Sequence, residues 1–393
     1  MKLELHTAGE SHGKAILGIL EGLPSGLSVD KSKINRELAR RQGGYGRGGR
    51  MDIEEDLADI TSGLIQSETI GTPVGIRIVN EDWQNWEEVM APFGDQTDDR
   101  AVTVPRPGHA DLSGIQKRGF QNCRKVLERS SARETALRVA GAAFCKQLLE
   151  EFAIEIQSRV TRIGKVKDNS SAEYRKWEEL ASENSVRVLD SSIAKEMERE
   201  IDEAGERGDT LGGLFEVVAT AVPPGLGDYA VSSDKLDAIL SAKFMSIPGI
   251  KSVEIGLGKD VAALPGSEVH DEIFYEKGRG TYRKTNNAGG LEGGVTNGEP
   301  VRVTAAMKPI PTLQTPLRSV DLTTLEPAEA SKERSDVCAV PSASIVGEAE
   351  MALALAGAFI EKFGGDSMSE LTANYRHFMD NLRGHSDRGE RSE

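Results

Sequence analysis

Cysteine is scarce: Cys123, Cys145 and Cys338 are the only three in 393 residues. An odd number at wide spacing excludes a disulfide framework and predicts reduced thiols in a cytoplasm. No Cys/His grouping has zinc-ligand spacing, so no metal site is expected. No run of eighteen apolar residues occurs, so no membrane span is expected. The opening MKLELHTAGESHG lacks a charged-then-apolar leader with a small-residue cleavage site, which argues against export. Net positive charge is missing too. The formal charge is −15, whereas a general nucleic-acid binder carries a basic face. Neither an internal repeat nor a clean βαβ period runs through the chain.

Against that acidic background, local positive charge stands out. Arg36, Arg40, Arg41, Arg47 and Arg50 face one acid, Glu37, giving +4 over residues 36–50. Such an island focuses a small anion; its plain counterpart is a solvated helix end and loop. A second feature lies at 286–312. Gly289, Gly290, Gly293 and Gly294 are followed by Gly298, then by an alternating stretch at 300–305 and by Lys308-Pro309-Ile310-Pro311-Thr312. Glycine lets backbone approach a ligand, and two prolines stiffen the cationic turn. The segment reads as a cradle for a flat anion, or equally as a hairpin with a glycine-rich turn.

Alternation predicts strands at 1–6, 16–20, 75–79, 214–222, 250–255 and 300–305. Helical spacing predicts helices at 30–41, capped by Asp30 or Ser32, at 233–245, and at 345–363, ending on Gly364-Gly365. The longest helical pattern is 124–152. The charged stretch 166–205 reads as exposed, peripheral helices. The polar tail after Gly384 reads as disordered. This is an α+β or layered α/β chain: one catalytic domain over 1–384 and a tail over 385–393.

Five short stretches carry candidate chemistry. In Gly9-Glu10-Ser11-His12-Gly13 a histidine sits in a loop after a strand, with an ordinary pKa of about 6.5 suited to proton donation. This is no phosphate loop, because Gly9 to Gly13-Lys14 is one residue short of that spacing. Residues 44–49 match G-x-G-x-x-G, but a helix precedes them where a dinucleotide fingerprint needs a strand. Arg41 and Arg47 beside that loop suit carboxylates or a phosphate. Arg106-Pro107-Gly108-His109-Ala110-Asp111 puts a second histidine beside an arginine, with Asp111 available to orient the imidazole. Glu128-Arg129-Ser130-Ser131-Ala132-Arg133-Glu134 reads as a capping box from Ser131 to Glu134, an anion site, or both. Asp336, before an apolar segment, is a base, a cap, or a partner for Arg334.

Taken together these stretches resemble the chorismate synthase family. The residues are GESHG at 9–13, RRQGGYGRGGRM at 40–51, RPGHAD at 106–111, ERSSARET at 128–135 and GDTLGG at 208–213. MSIPGIKSVEIG at 245–256, NNAGGLEGGVTNGEP at 286–300, AAMKPIPT at 305–312 and RSDVCAVP at 334–341 complete the set, in the family's order.

The resemblance implies a β-α-β sandwich core with peripheral helices, assembled as a homotetramer. It implies 1,4-anti elimination of phosphate from 5-enolpyruvylshikimate 3-phosphate to give chorismate, with reduced FMN (FMNH2) and no net redox change. NADPH is the possible reductant. His12 and His109 are implied in proton transfer, and Asp336 as a carboxylate beside the flavin. Flavin contacts carry over onto Arg129, Ser130, Ser131, Pro248, Gly249, Gly293, Lys308, Pro309, Ile310, Pro311, Thr312 and Arg334. Ser11, Arg41, Arg47, Arg50, Arg106 and Arg133 fall at the substrate or nicotinamide end. The alternative is a flavin-dependent oxidoreductase built on the same residues.

Overall fold

The computed structural model describes residues 2–48, 55–95, 97, 99–278, 280–333 and 335–386. Two candidate residues, Arg50 and Arg334, and the tail beyond 386 lie outside them. Nine strands form two antiparallel sheets. The first holds β1 (Glu4–Ala8), β2 (Ala15–Glu21), β3 (Asp59–Ile60) and β4 (Val74–Val79), in the order β1-β2-β4-β3. The second holds β5 (Glu155–Ile163), β6 (Val166–Lys167), β7 (Gly213–Thr220), β8 (Ile250–Ile255) and β9 (Val301–Met307), in the order β8-β9-β7-β5-β6.

The helices used below are α1 (Lys31–Gln42), α2 (Asp111–Arg118), α3 (Arg124–Ser130), α4 (Thr135–Glu150), α5 (Ser191–Glu206), α6 (Leu236–Met245), α7 (Val340–Phe363) and α8 (Met368–Ser386). α4 packs on β1, β2 and β4; α7 packs on β5 and β7; α1, α4 and α7 pack on one another. Helices therefore lie between two sheets, the implied β-α-β sandwich. Its core runs from Ile16, Leu20, Ile76 and Ile78 of the first sheet, through Leu137, Phe144 and Phe359, to Phe215, Val217 and Val303 of the second.

Local sequence explains the element ends. Asp30 caps α1 by accepting from the Ser32 amide at 2.8 Å. Pro341 opens α7, where a missing N–H costs nothing, and Gly364 at φ +61° closes it. α7 is buried on nearly every side, Glu348 and Glu350 included. It is long and apolar enough to cross a membrane, but 94% of that window is buried inside the protein, as befits a central helix.

Three expectations are corrected. The pattern at 124–152 is two helices: Ser131 adopts extended backbone (φ −66°, ψ 143°) between α3 and a short turn leading into α4. With that pattern split, the longest described helix is α7, which starts at Val340, five residues before the predicted 345. The charged segment at 166–205 is not simply exposed. Trp177 and Leu189 cover Val218 on the outer face of the second sheet, and Met197 and Ile201 of α5 join the main core. α8 was not foreseen at all; it docks Tyr375 against Phe152 and Phe363.

Candidate functional site

Gly9 shapes the turn that carries the first histidine. Its φ is +103°, and a Cβ there would come within 2.6 Å of the Ala15 carbonyl oxygen. The chain then crosses to α3. The Ser11 amide donates to the Glu128 carbonyl at 2.9 Å, and the Ser11 hydroxyl donates to Ser131 Oγ at 3.0 Å. Both the His12 amide (2.8 Å) and His12 Nδ1 (2.9 Å) reach the Glu128 carboxylate. Burial opposes ionisation of Glu128, but the His12 hydrogen bonds outweigh it and hold the carboxyl below its usual range. An ionised carboxylate only accepts, so Nδ1 of His12 carries the proton. The imidazole is stacked on Trp86, with ring centroids 3.8 Å apart.

The second histidine is built the same way over a shorter span. His109 Nδ1 lies 2.6 Å from Asp111 Oδ1. Asp111 is fully buried at the first turn of α2 and also accepts from Arg106 Nε at 2.8 Å. Burial works against its charge; His109 and Arg106 prevail and hold its pKa well below normal. Arg106 Nη1 donates onward to Thr312 Oγ1 at 2.9 Å. Lys308 Nζ donates to the Gly108 carbonyl. The RPGHAD loop and the 308–312 turn, some two hundred residues apart in the chain, thus meet as one unit.

The arginines form a third group around Asp56. This buried carboxylate receives Arg41 Nη2 at 2.5 Å and Arg133 Nη1 at 2.8 Å. Burial would raise its pKa, but the two guanidiniums hold it down. Arg41, fully enclosed, is pushed down by burial and by Arg47 beside it. Arg47 pairs with Asp336 at 2.8 Å, and the Gly48 amide donates to the same carboxylate at 2.7 Å. Asp336 therefore partners Arg47 among the described residues; the helix it precedes is capped at Ala339. Ser131 joins the groups: its hydroxyl accepts from the Arg133 amide at 3.3 Å as well as from Ser11. Glu134 does not close a capping box, since it pairs with Arg138 at 2.5 Å.

Other candidates have plainer surroundings. Arg129 donates to the carbonyls of Thr7 (3.0 Å) and Gly9 (3.2 Å), and the Ser130 hydroxyl donates back to the Val126 carbonyl at 2.9 Å. Gly249, which follows Pro248, accepts from the Lys308 amide at 2.9 Å, and Ile310 accepts from the Thr210 hydroxyl at 2.7 Å. Pro309 and Pro311 flank Ile310 on that turn. Gly293 turns a two-strand hairpin, Leu291–Glu292 with Val295–Thr296, and a Cβ added there would come within 3.9 Å of Tyr229. That part of the glycine-rich segment is a hairpin.

The positive island also divides. Arg40 turns inward to Glu348 (2.8 Å), Glu37 (2.7 Å) and Glu178 (2.6 Å), neutralised among helices, so it adds nothing to an anion site. Sequence reasoning gave no role of their own to Glu128, Asp56 and Trp86, which hold the histidine and two arginines. No local signal pairs Glu128 with His12 at a separation of 116 residues.

The chain is similar to known proteins along nearly its whole length. A sequence profile described as chorismate synthase matches residues 3–360. The chain is 52% identical over 386 residues to a chorismate synthase of Geobacter sulfurreducens, covering 96% of this chain and 98% of that protein. It is 52% identical over 379 residues to one from Desulforudis audaxviator, covering 96% and 97%. A crystal structure of chorismate synthase superposes with a TM-score of 0.79 at 38% identity, covering 98% of this chain and 99% of that one. The chain belongs to the chorismate synthase family and is an enzyme, a lyase.

Proposed function

We propose that this enzyme eliminates phosphate from 5-enolpyruvylshikimate 3-phosphate, in the 1,4-anti sense, to give chorismate. The observation that carries the reading is the buried His12–Glu128 pair, joined through Ser11 and Ser131 to the arginines bridged by Asp56. The substrate bears two carboxylates and a phosphate. Arg41, Arg106 and Arg133 supply counter-charge from buried positions, where each charge counts for more than in water, and Arg47 adds to it from a partly buried one. His12 then gives a proton to the phosphate oxygen as the C3–O bond breaks and its electron pair leaves with that oxygen. Glu128 stabilises the charged imidazole before transfer and keeps it aimed. His109, clamped by Asp111 and Arg106, holds a second proton near Lys308.

Reduced FMN fits the residues present. Lys308 offers a cation and Ser131 and Thr312 offer hydroxyls. Gly249, at φ +86°, leaves backbone where a Cβ would crowd Met307 at 3.1 Å. Bound there, reduced flavin would supply transient one-electron chemistry for loss of phosphate and of the C6 hydrogen, with no net redox change. Arg129, Ser130, Lys308 and the prolines beside Ile310 would hold it, and Asp336 would stand beside it. NADPH is the reductant class consistent with the arginines near Arg47.

The same reading places the enzyme in the cytoplasm as a homotetramer. Leu17, Ile19 and Val79, exposed together on the outer face of the first sheet, support self-association.

The deciding experiment is anaerobic. Dithionite-reduced FMN and the substrate are mixed, and chorismate absorbance and phosphate release are followed together. Equal amounts with many turnovers per flavin are expected. No product despite tight flavin binding would move the assignment to a flavin-dependent oxidoreductase with a different substrate.

A further inference from the structure

Trp86 takes no part in the reading above, yet much of the 80–100 connection is arranged around it. Its indole is buried and lies 3.8 Å from the His12 imidazole at an interplanar angle of 27°. Its Nε1 donates to Asp82 Oδ2 at 2.9 Å, and Asn85 donates to the other oxygen of the same carboxylate at 2.7 Å. The Arg100 guanidinium stands 4.0 Å over the same ring, and that of Arg124 lies at 5.3 Å. Arg100 has left-handed backbone, φ +57°, and its carbonyl accepts from Arg124 Nε at 3.1 Å. A non-glycine residue stays in that region where its surroundings hold it there.

We propose that Trp86 is a positioning residue for His12. The inference rests on the reading of His12 as the proton donor. Glu128 holds one edge of the imidazole through Nδ1, with Glu128 oxygens at 2.9 and 3.0 Å. A hydrogen bond at one edge still lets the ring swing about its Cβ–Cγ bond. A stacked indole removes that freedom by fixing the plane. With Nδ1 committed to Glu128, a proton passed to a ligand leaves from Nε2, whose direction is then set by Trp86. Asp82 and Arg100 fix the indole in turn.

The test is a mutant cycle on the full-length enzyme with dithionite-reduced FMN and the phosphorylated substrate. Trp86→Leu is expected to lower kcat about ten- to a hundredfold, with KM and the flavin Kd within about twofold, because misaiming by an ångström is that costly. Trp86→Phe, which keeps a ring face, recovers most of the rate. In a His12→Gln background, Trp86→Leu adds no further loss, since the two act as one unit. Wild-type kcat in Trp86→Leu, or losses that multiply in the double variant, overturns the proposal. Where Trp86→Leu does not fold, Trp86→Met, which also lacks a ring face, carries the same cycle: a loss confined to kcat that vanishes beside His12→Gln supports it, and an unchanged kcat or a multiplying loss overturns it. A fully active His12→Gln would remove the reading of His12 itself, and the inference with it.

Discussion

His12 and His109 are each held through Nδ1 by a buried carboxylate, at 2.9 Å from Glu128 and 2.6 Å from Asp111. A tethered imidazole is worth most in the step where a proton moves. His12→Ala and His109→Ala are therefore expected to lower kcat by about 10²–10⁴ while leaving flavin affinity close to wild type. Single-turnover kinetics beside a flavin titration separates the two effects, and full-rate turnover in both variants would sink the proton-transfer roles. Lys308 is a binding residue on the same reading. Burial and Lys251 both make its ammonium easier to deprotonate, yet it still donates to Gly108. Lys308→Ala should weaken FMN binding about tenfold or more, the worth of a charge-assisted hydrogen bond, as read by fluorescence titration. Asp111 was legible in the sequence as the partner of His109 because it lies two residues away. Glu128, across the fold from His12, was not.

At the scale of elements, the informative places are breaks and close approaches. Ser131 interrupts what periodicity reads as one long helix. That interruption frees the Ser131 hydroxyl, which accepts from the Ser11 hydroxyl and from the Arg133 amide. Periodicity misses such breaks because both flanking segments keep a helical apolar pattern. Gly347 marks where α7 presses on the second sheet. A Cβ there would lie 2.7 Å from Phe215 and 3.0 Å from Val217. Alanine would gain about 1 kcal/mol of helix propensity, but overpacking costs about 1–3 kcal/mol. Both neighbours are ring and branched side chains inside a closed core, so the packing cost should win. Gly347→Ala is expected to lower the urea midpoint; an increase would show that the two layers can separate to admit a methyl group.

The whole molecule carries its carboxylates in opposed senses. Asp56, Asp111, Glu128 and Glu348 all bury their charge and all have pKa values held below normal by cationic or hydrogen-bonding partners. Each contributes stability that is complete above its unfolded pKa of about 4 and is lost as pH falls through the folded value. Glu350 is raised by burial despite Arg138, so its ionisation costs stability at neutral pH. Four groups outweigh one, and the urea midpoint should fall as pH drops below about 4. Glu348 also anchors Arg40 at 2.8 Å and Lys146 at 2.5 Å between the sheets. Glu348→Gln should cost about 3–5 kcal/mol at pH 7, the cost of breaking a buried pair, and should flatten the acid limb. Glu350→Gln should cost less, since Arg138 keeps Glu134. Equal costs in urea melts would count against the difference in environment.

By itself, the sequence determined the elements whose signals are local: alternating strands, a capped α1, the glycine stop of α7, and motifs whose order marks the family. Contacts between distant segments belong to the tertiary structure alone. It decided that Arg40 pairs with Glu348 while Arg41, next to it, pairs with Asp56, because successive helical residues point about 100° apart. It placed His12 on Glu128 and Trp86, and joined the RPGHAD loop to the Lys308 turn. Those pairings depend on how two sheets close over one helical layer, and no spacing along the chain encodes that closure.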